Sequence, residues 1–250
     1  MPAFATQLIV FNGHVDLEKD PDTIFTAASA AGFTAVETQL TDVNRLHDRL
    51  AAHGLKHAAA HVIAGQLKEP QHWIDYLRVT GARDICSSGL LNWHQRTRAD
   101  HDATIDLLNA AGRAFRAAGI YLHYHNHDFE LVEKPVAGVT SLQYLMDRVD
   151  PAAVDFCIDV GWLDRARIDP ASFLVQNAAR IGYLHLKDWN GEAWVPPGQG
   201  RVDLVSVARI LPQLKQARWI TCEQDDTPQD PAACLRAAGK WCALHLDDFS

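Results

Sequence analysis

The chain has 250 residues, a formal net charge of −8 and 48% hydrophobic residues, a composition typical of a globular protein. Its length suits one α/β barrel, and we expect a single domain over residues 1–250. The acidic balance argues against nucleic acid or an anionic membrane surface as the principal partner.

Strand-like and helix-like segments alternate along the chain. Apolar, strand-forming runs predict eight strands at 7–12, 34–38, 57–62, 84–87, 121–125, 155–159, 182–187 and 219–223. Helical spacing of apolar residues predicts eight helices at 21–31, 42–53, 71–80, 102–118, 141–148, 170–180, 204–216 and 231–244. An aspartate before a proline opens three of these helices, at Asp20, Asp169 and Asp230, and this pair is a helix-start signal.

The order of these elements predicts a parallel sheet. Apolar strands that alternate with helices are typical of α/β folds, and eight such units predict a closed (β/α)8 TIM barrel. A doubly wound open sheet is the alternative, because strand number read from a sequence varies by about one or two. The longest segments without a clear period, 88–101 and 188–203, follow strands and would form loops on the catalytic face.

The cysteines and the apolar segments bear on where the protein works. The chain has five cysteines, none in a Cys-x-x-Cys pair, and at least two of them lie in predicted strands. No stretch approaches the roughly 20 apolar residues of a membrane span, and the first residues lack the features of a signal peptide. We therefore expect reduced thiols, a cytoplasmic location and no membrane partner.

Metal-capable side chains stand at the ends of predicted strands. Asp159, His185 and Glu223 occupy such positions, as does His125 on the strand before them. Side chains alternate between the faces of a strand, so each of these residues shares a face with the residue two positions earlier. If the strands are parallel neighbours, their carboxyl ends converge and bring the carboxylates of Asp159 and Glu223 and the imidazole of His185 together as ligands of one divalent cation.

Several motifs of the C-terminal half occur together, in this order and spacing, in one known family. They are Tyr124-His-Asn-His-Asp-Phe-Glu130, Asp159-Val-Gly-Trp162 before Asp169-Pro170, His185-Leu-Lys-Asp188, Pro197-Gly-Gln-Gly200 with Val202-Asp203, and Glu223-Gln-Asp225. On these motifs the chain resembles the sugar phosphate isomerase/epimerase family of xylose isomerase-like TIM barrels. Inosose dehydratases, ketose 3-epimerases and endonuclease IV are related to that family.

The resemblance implies a divalent metal ion, manganese, cobalt, magnesium or zinc, held by three carboxylates and a histidine. Asp159, His185 and Glu223 match three of these ligands by position. Many relatives place the fourth, a glutamate, at the end of the fifth strand, where this chain has His125, and Glu130 follows five residues later. We favour Glu130 as the fourth ligand, with His125 as the alternative.

Such a ligand set predicts proton transfer next to a carbonyl group. A divalent ion that binds a carbonyl and a neighbouring hydroxyl stabilises an enediolate, which epimerisation, aldose–ketose isomerisation and β-elimination of water all share. We assign proton removal to Glu223 and Glu130, one for each face of the carbon, and transfer between oxygens to His125.

Six further residues are candidates for substrate binding because they lie on or near the same strand ends. They are Glu37, His61, His123, His127, Trp162 and Lys187. For each of them an ordinary packing or ion-pair role is the alternative. The loop 197–200 could present backbone N–H groups to a substrate anion, and an ordinary surface loop is the alternative there.

The resemblance implies a small sugar, sugar acid or cyclitol as substrate, with isomerase or epimerase activity first and dehydratase or lyase activity second. The second reaction gains weight from Trp162, where ketose 3-epimerases carry a histidine nearby, and from the Tyr-His-Asn-His and Glu-Gln-Asp motifs. A DNA-repair phosphodiesterase is disfavoured by the acidic charge. A sugar-binding protein without catalysis and a homodimeric assembly both stay open.

Overall fold

The computed structural model describes residues 3–246, so residues 1, 2 and 247–250 of the expected domain lie outside the described residues. Ten strands are present in this range: β1 (Ala3–Gln7), β2 (Ala35–Glu37), β3 (Lys56–Ile63), β4 (Asp84–Ser88), β5 (Tyr121–His125), β6 (Val154–Asp159), β7 (Ile181–Leu186), β8 (Asp188–Trp189), β9 (Trp194–Val195) and β10 (Trp219–Cys222). Eight of them close into a parallel barrel in the order β1-β10-β7-β6-β5-β4-β3-β2, which confirms the predicted TIM barrel.

Ten α-helices surround the barrel in the described part of the chain. They are α1 (Pro21–Ala30), α2 (Val43–Ala52), α3 (Pro70–Thr80), α4 (Arg98–Ala117), α5 (Phe129–Val132), α6 (Ser141–Met146), α7 (Val160–Arg165), α8 (Pro170–Gln176), α9 (Leu204–Ile210) and α10 (Pro231–His245). The carboxylates of Asp20, Asp169 and Asp230 accept hydrogen bonds from backbone N–H groups in the first turns of α1, α8 and α10, as predicted.

The first strand lies earlier than predicted. The sequence pattern placed it at 7–12, whereas the barrel strand is β1, and Ile9–Phe11 forms a 3₁₀ turn. The sequence pattern selects the most apolar run as the strand. The interior of the barrel is crowded, however, so β1 places the small side chain of Ala5 there, against Ala35 and Ala58. The larger Val10 and Phe11 are buried outside that interior, in the main hydrophobic core.

Two helices end before their predicted limits, and two helices were not predicted. The segment 170–180 divides into α8 and a 3₁₀ turn at Ala178–Arg180, and 204–216 divides into α9 and a turn at Leu211–Gln213 that contains a proline. The additional helices α5 and α7 begin just after β5 and β6. Both follow strands that end in candidate site residues, so they shape the mouth of the barrel.

The hydrophobic core lies mainly between the barrel and its helices, where most buried apolar side chains form one cluster. Inside the barrel a smaller layer contains Ala59, Cys86, Cys157 and Tyr183. The short strands β8 and β9 pair in an antiparallel hairpin after β7 and cover one side of the mouth. None of the helices in residues 3–246 is long and apolar enough to cross a membrane.

Candidate metal centre

Four buried side chains converge at the carboxyl end of the barrel. His125 ends β5, Asp159 ends β6, His185 lies near the end of β7 and Glu223 follows β10 directly. One nitrogen or oxygen atom from each lies within 4.8 Å of those of the other three, and all four side chains are buried. We call these residues the four-residue group.

The register of the sheet explains why these residues meet. Asp159 and His185 are paired residues on neighbouring strands, and the backbone N–H of Glu223 donates to the carbonyl oxygen of Leu186 at 3.0 Å. Parallel strands end at the same rim of a barrel, so side chains at corresponding positions point into one space. The convergence predicted for Asp159, His185 and Glu223 is therefore present.

Three buried atoms of the four-residue group make no hydrogen bond of normal geometry, namely Asp159 Oδ2, His185 Nδ1 and Glu223 Oε2. His185 Nδ1 and Glu223 Oε2 are in contact with each other, and Asp159 Oδ2 lies 3.5 Å from the Lys187 ammonium. The Asp159 carboxylate uses its other oxygen to accept from the N–H groups of Gly161 and Trp162 at 2.8 and 3.2 Å, which begins α7. Buried polar atoms are almost always paired, so a cluster of unpaired ones at a common point is the arrangement that a metal ion would satisfy.

The imidazole of His185 is held in one orientation by a carboxylate behind it. Its Nε2–H donates to Glu37 Oε2 at 2.9 Å, which leaves Nδ1 directed at Glu223. His61 contacts the other oxygen of Glu37 at 2.7 Å. Burial would raise the pKa of Glu37, but the His185 and His61 imidazoles lower it to about 2. A carboxylate that orients a histidine in this way is common behind metal-binding histidines.

Lys187 is the cation of the site and is fully buried. Its Nζ lies 3.3 Å from Glu223 Oε1, 3.5 Å from Asp159 Oδ2 and in contact with Asp225. Burial opposes its charge, but Glu223, Asp159 and Asp225 together raise the pKa of Lys187. Asp225 also belongs to this group of charges, and we did not single it out from the sequence. Because it lies two residues after Glu223, strand alternation would have placed both side chains on the same face.

Electrostatics differ strongly among the members of the four-residue group. Burial raises the pKa of Asp159 to about 6, against the opposing effect of Lys187. For Glu223 the same burial is outweighed by Lys187 and His185, which hold its pKa well below the usual range. Burial and the neighbouring His185 lower the pKa of His125, so that imidazole is neutral and can act as a ligand.

Aromatic side chains form the wall of the mouth. The rings of Trp162 and Trp194 lie 4.6 Å apart, and Lys187 Nζ lies 4.9 and 4.5 Å from their centres. The ring of His127 lies 4.9 Å from that of His125, on the side away from the barrel interior. Trp162 Nε1 and His127 Nδ1 are buried and unpaired, so both can bond to a ligand in the mouth.

A family model described as xylose isomerase-like TIM barrel matches residues 25–243 of the chain. The chain belongs to this family. Among curated proteins, an inosose dehydratase of Geobacillus kaustophilus is 26% identical over 200 residues, which are 67% of this chain and 63% of that protein. The chain thus spans less than two thirds of the length of this relative.

Solved structures show the same fold at lower identity. A sugar phosphate isomerase/epimerase from Parabacteroides distasonis superposes with a TM-score of 0.80 and 17% identity, covering 99% of this chain and 97% of that one. The IolI protein, whose structure contains a bound zinc atom, has a TM-score of 0.76 and 13% identity over 99% of both chains. At these identities the matches establish the xylose isomerase-like fold and no more.

Glu130 does not lie where we expected it in this member of the xylose isomerase-like family. Its oxygens accept from Tyr124 Oη at 2.8 Å and from the His127 backbone N–H at 2.7 Å. Tyr124 lies on the opposite face of β5 from His125, so the Glu130 carboxyl is bonded outside the four-residue group. His125 occupies the fourth position in its place. The expected ligand and base roles of Glu130 are therefore not supported by its position.

His123 is also misplaced by the sequence prediction. Its Nε2 lies 2.9 Å from Asp84 Oδ1, and the ring packs where Gly182 lacks a side chain, in the deep interior near the amino end of the barrel. A strand rises about 3.3 Å per residue, so two residues separate His123 from His125 by roughly 7 Å along β5. Alternation correctly predicts that His123 and His125 share one face of β5. It does not predict that His123 lies toward the amino end of the barrel while His125 lies at the carboxyl end.

The remaining predicted substrate-binding residues lie around the four-residue group. Glu37 and His61 lie behind His185, Lys187 lies beside Glu223, and His127 and Trp162 line the mouth, as described above. The loop 197–200 has another role, because the N–H groups of Gly198 and Gly200 donate to the Asp188 carboxylate at 2.9 Å. Those donors are used within the protein.

Proposed function

We propose that this chain is a metal-dependent enzyme that removes a proton next to the carbonyl group of a small polyhydroxylated ketone and eliminates water from it. The observation that carries the proposal is the convergence of Asp159 Oδ2, His185 Nδ1 and Glu223 Oε2 at the carboxyl end of a TIM barrel, where all three are buried and none makes a hydrogen bond of normal geometry. The similarity to inosose dehydratases favours a keto-sugar or ketocyclitol as the substrate.

His125, Asp159, His185 and Glu223 would hold the ion. Two imidazole nitrogens and two carboxylate oxygens favour manganese, cobalt or zinc over magnesium, which prefers oxygen ligands. The zinc atom in the IolI protein, a structural neighbour, supports a borderline ion of this kind. When bound, such an ion polarises a carbonyl oxygen and so stabilises the negative charge that forms when the adjacent carbon loses its proton.

Glu223 is the residue to which we assign proton removal. It is ionised because Lys187 and His185 hold its pKa below the usual range, and its Oε1 faces the Lys187 ammonium at 3.3 Å. Lys187 then supplies the proton that the leaving hydroxyl requires, so the hydroxyl leaves as water. Proton removal and proton donation thus take place at two groups in direct contact.

Elimination fits this arrangement better than epimerisation does. An epimerase returns a proton to the opposite face of the same carbon, which requires a second proton-transfer group across from the first. The sequence suggested Glu130 for that role, but its carboxyl is bonded to Tyr124 and the His127 backbone. The order of the two reactions expected from the sequence is therefore reversed in our proposal.

An uncharged substrate fits the mouth better than a phosphorylated one. Lys187 is already contacted by three carboxylates, and the N–H groups of the loop 197–200 donate to Asp188. A phosphate ester would therefore meet little positive charge beside the four-residue group. The rings of Trp162 and Trp194 instead offer an apolar wall for the carbon–hydrogen face of a sugar or cyclitol ring.

Epimerisation or isomerisation is the second candidate, and one observation favours it. His127 has a neutral imidazole, because burial and the nearby Lys187 lower its pKa to about 3, and its Nδ1 is unpaired. An imidazole at the mouth, next to His125, provides a second proton-transfer group that does not depend on Glu130.

Incubation of the manganese-loaded protein in deuterated water with inososes, 3-keto-sugars and ketoses tests the proposal. Mass spectrometry should show loss of water from one substrate, with deuterium at the carbon that lost its hydroxyl group, because the enol formed by elimination takes up a solvent deuteron there. Deuterium uptake without loss of water would establish the second candidate. If substrates bind without uptake or water loss, the proposal is wrong. The Glu223→Gln variant serves as the control for non-enzymatic exchange.

A further inference from the structure

Two cysteines lie one layer below the four-residue group, inside the barrel. Cys86 is on β4 and Cys157 is on β6, and both are completely buried, with free thiols. The Sγ atoms of both lie within 4.8 Å of each other and of a ring nitrogen of His185. His125 Nδ1 lies 3.7 Å from Cys157 Sγ. Two sulfur atoms and imidazole nitrogens therefore meet directly beneath the proposed oxygen and nitrogen ligands.

This arrangement differs in chemistry from the group above it. Thiolate sulfur prefers zinc, cadmium and copper(I), whereas carboxylate oxygen prefers harder ions such as manganese and magnesium. Two thiolates would neutralise a divalent ion completely, which matters in a layer that is closed to water. The same layer contains Ala59, which is small, and Tyr183, whose hydroxyl bonds to Thr221 at 2.8 Å.

We propose that Cys86, Cys157 and His185 form a second metal site, specific for thiophilic ions such as zinc or cadmium. Metal–sulfur bonds of about 2.3 Å and metal–nitrogen bonds of about 2.0 Å place ligand atoms roughly 3.5–4 Å apart, so the observed separations close with small side-chain movements. Binding replaces the two thiol protons, which are released to solvent.

His185 belongs to both sites, and this couples them. Nε2 of His185 bonds to Glu37 and Nδ1 of His185 faces Glu223. One of these two ring nitrogens must therefore leave its carboxylate partner when His185 binds an ion in the sulfur layer. A thiophilic ion in the lower site therefore weakens the upper one. Excess zinc or cadmium should inhibit an enzyme loaded with manganese, and this inhibition should depend on the cysteines. The lower site itself does not rest on the proposed function.

Cobalt(II) titration of the metal-free full-length protein tests the site through its sulfur-to-cobalt charge-transfer absorption. Cobalt bound only by oxygen and nitrogen in the four-residue group gives no such band. We expect the band in the wild type and its loss in Cys86→Ala and Cys157→Ala. Glu223→Gln should retain the band and develop it at lower cobalt concentration, because the competing upper site is damaged. Loss of the band in Glu223→Gln would count against a separate site.

A second pair of cysteines supplies the matched control. Cys222 and Cys242 have their Sγ atoms 3.3 Å apart, between β10 and α10. Cys242→Ala should keep the band, and if that variant alone loses it, the sulfur ligands lie there and the proposal is wrong. Absence of the band from the wild type would also show that the proposal is wrong.

Because core substitutions can unfold a protein, anomalous scattering from cadmium-soaked wild-type crystals gives an independent answer. Density between Cys86 and Cys157 supports the site, and its absence overturns it.

Discussion

The two ends of the barrel both bury histidine–carboxylate pairs, but they satisfy them differently. At the amino end, Asp84 accepts from His123 and Arg218 at 2.9 and 2.7 Å through one oxygen and from Trp219 at 3.2 Å through the other. At the carboxyl end, one oxygen of Asp159 makes no hydrogen bond and has only the Lys187 ammonium 3.5 Å away among its ion-pair contacts. Both oxygens of the Asp84 carboxylate are therefore hydrogen-bonded, although His123 Nδ1 is buried without a partner, whereas only one oxygen of Asp159 is.

This contrast separates stability from function. A buried carboxylate costs free energy unless donors surround it, and Arg218 and Trp219 supply those donors for Asp84. Asp159 and Glu223 share one Lys187 ammonium, which also contacts Asp225. These two carboxylates are therefore less well compensated than Asp84, and we propose that a metal ion completes their network.

The largest expected effect is on catalysis at the carboxyl end. Glu223→Gln removes a proposed ligand and the proposed base together, and turnover should fall by about 10³-fold or more. Steady-state rates on the substrate identified by deuterium exchange measure this. Glu192→Gln, an exposed change in the 188–203 loop, is the control. Activity within tenfold of wild type in Glu223→Gln would show that this carboxylate is not the base.

A change at the amino end should affect stability instead. Asp84→Asn leaves Arg218 and His123 without a buried anion, so the free energy of unfolding should fall by about 3 kcal/mol. Manganese content should stay unchanged. Urea denaturation measures the first quantity, and Asp75→Asn, which breaks an exposed ion pair with Arg78, should cost less than about 1 kcal/mol. If Asp84→Asn also lost manganese, the amino end could not be assigned to stability and the carboxyl end to metal binding.

Glu130 offers a pH test, because burial raises its pKa to about 8, with partial opposition from the His127 N–H and Tyr124. Its folded-state pKa lies above the unfolded value of 4.5, so the folded protein binds more protons between these limits. Stability should therefore fall as pH rises from about 4.5 to about 8, by up to roughly 5 kcal/mol from this group.

The variant Glu130→Gln should lose that part of the pH dependence and keep its manganese. Urea midpoints measured at a series of pH values, together with metal analysis, provide the comparison with wild type. A Glu130→Gln protein that no longer binds manganese would restore Glu130 as a ligand, as the sequence first suggested.

The smallest effect concerns the mouth. Trp162→Phe removes an unpaired N–H but keeps an aromatic ring against Trp194, so we expect KM to rise about fivefold, the equivalent of one hydrogen bond. Turnover and manganese content should not change. A fall in kcat with KM unaltered would indicate that the Trp162 N–H contacts the reacting atoms and not the distant part of the substrate.

Sequence patterns predicted the barrel and three of the four converging side chains, because alternation and parallel strands leave little freedom once a strand end is recognised. Asp159, His185 and Glu223 are examples. Face alternation alone groups His123 with His125, and its use placed both at the substrate, although His125 ends the predicted strand 121–125 and His123 lies two residues deeper. The pairing of His123 with Asp84 shows that this depth decides its role. The position of Glu130 was not predicted, because the turn after β5 brings its carboxyl to the Tyr124 hydroxyl and the His127 N–H, and strand alternation does not describe the path of a turn.

Binding of one divalent ion by the four-residue group at the carboxyl end can be measured directly. Manganese is the suitable probe, since it has little affinity for the sulfur layer. Elemental analysis of protein reconstituted with manganese and then desalted should give one ion per chain in wild type and in Asp84→Asn, and none in Asp159→Asn. Retention of the ion by Asp159→Asn, or its absence from the wild type, would show that the four-residue group is not the binding site of the ion.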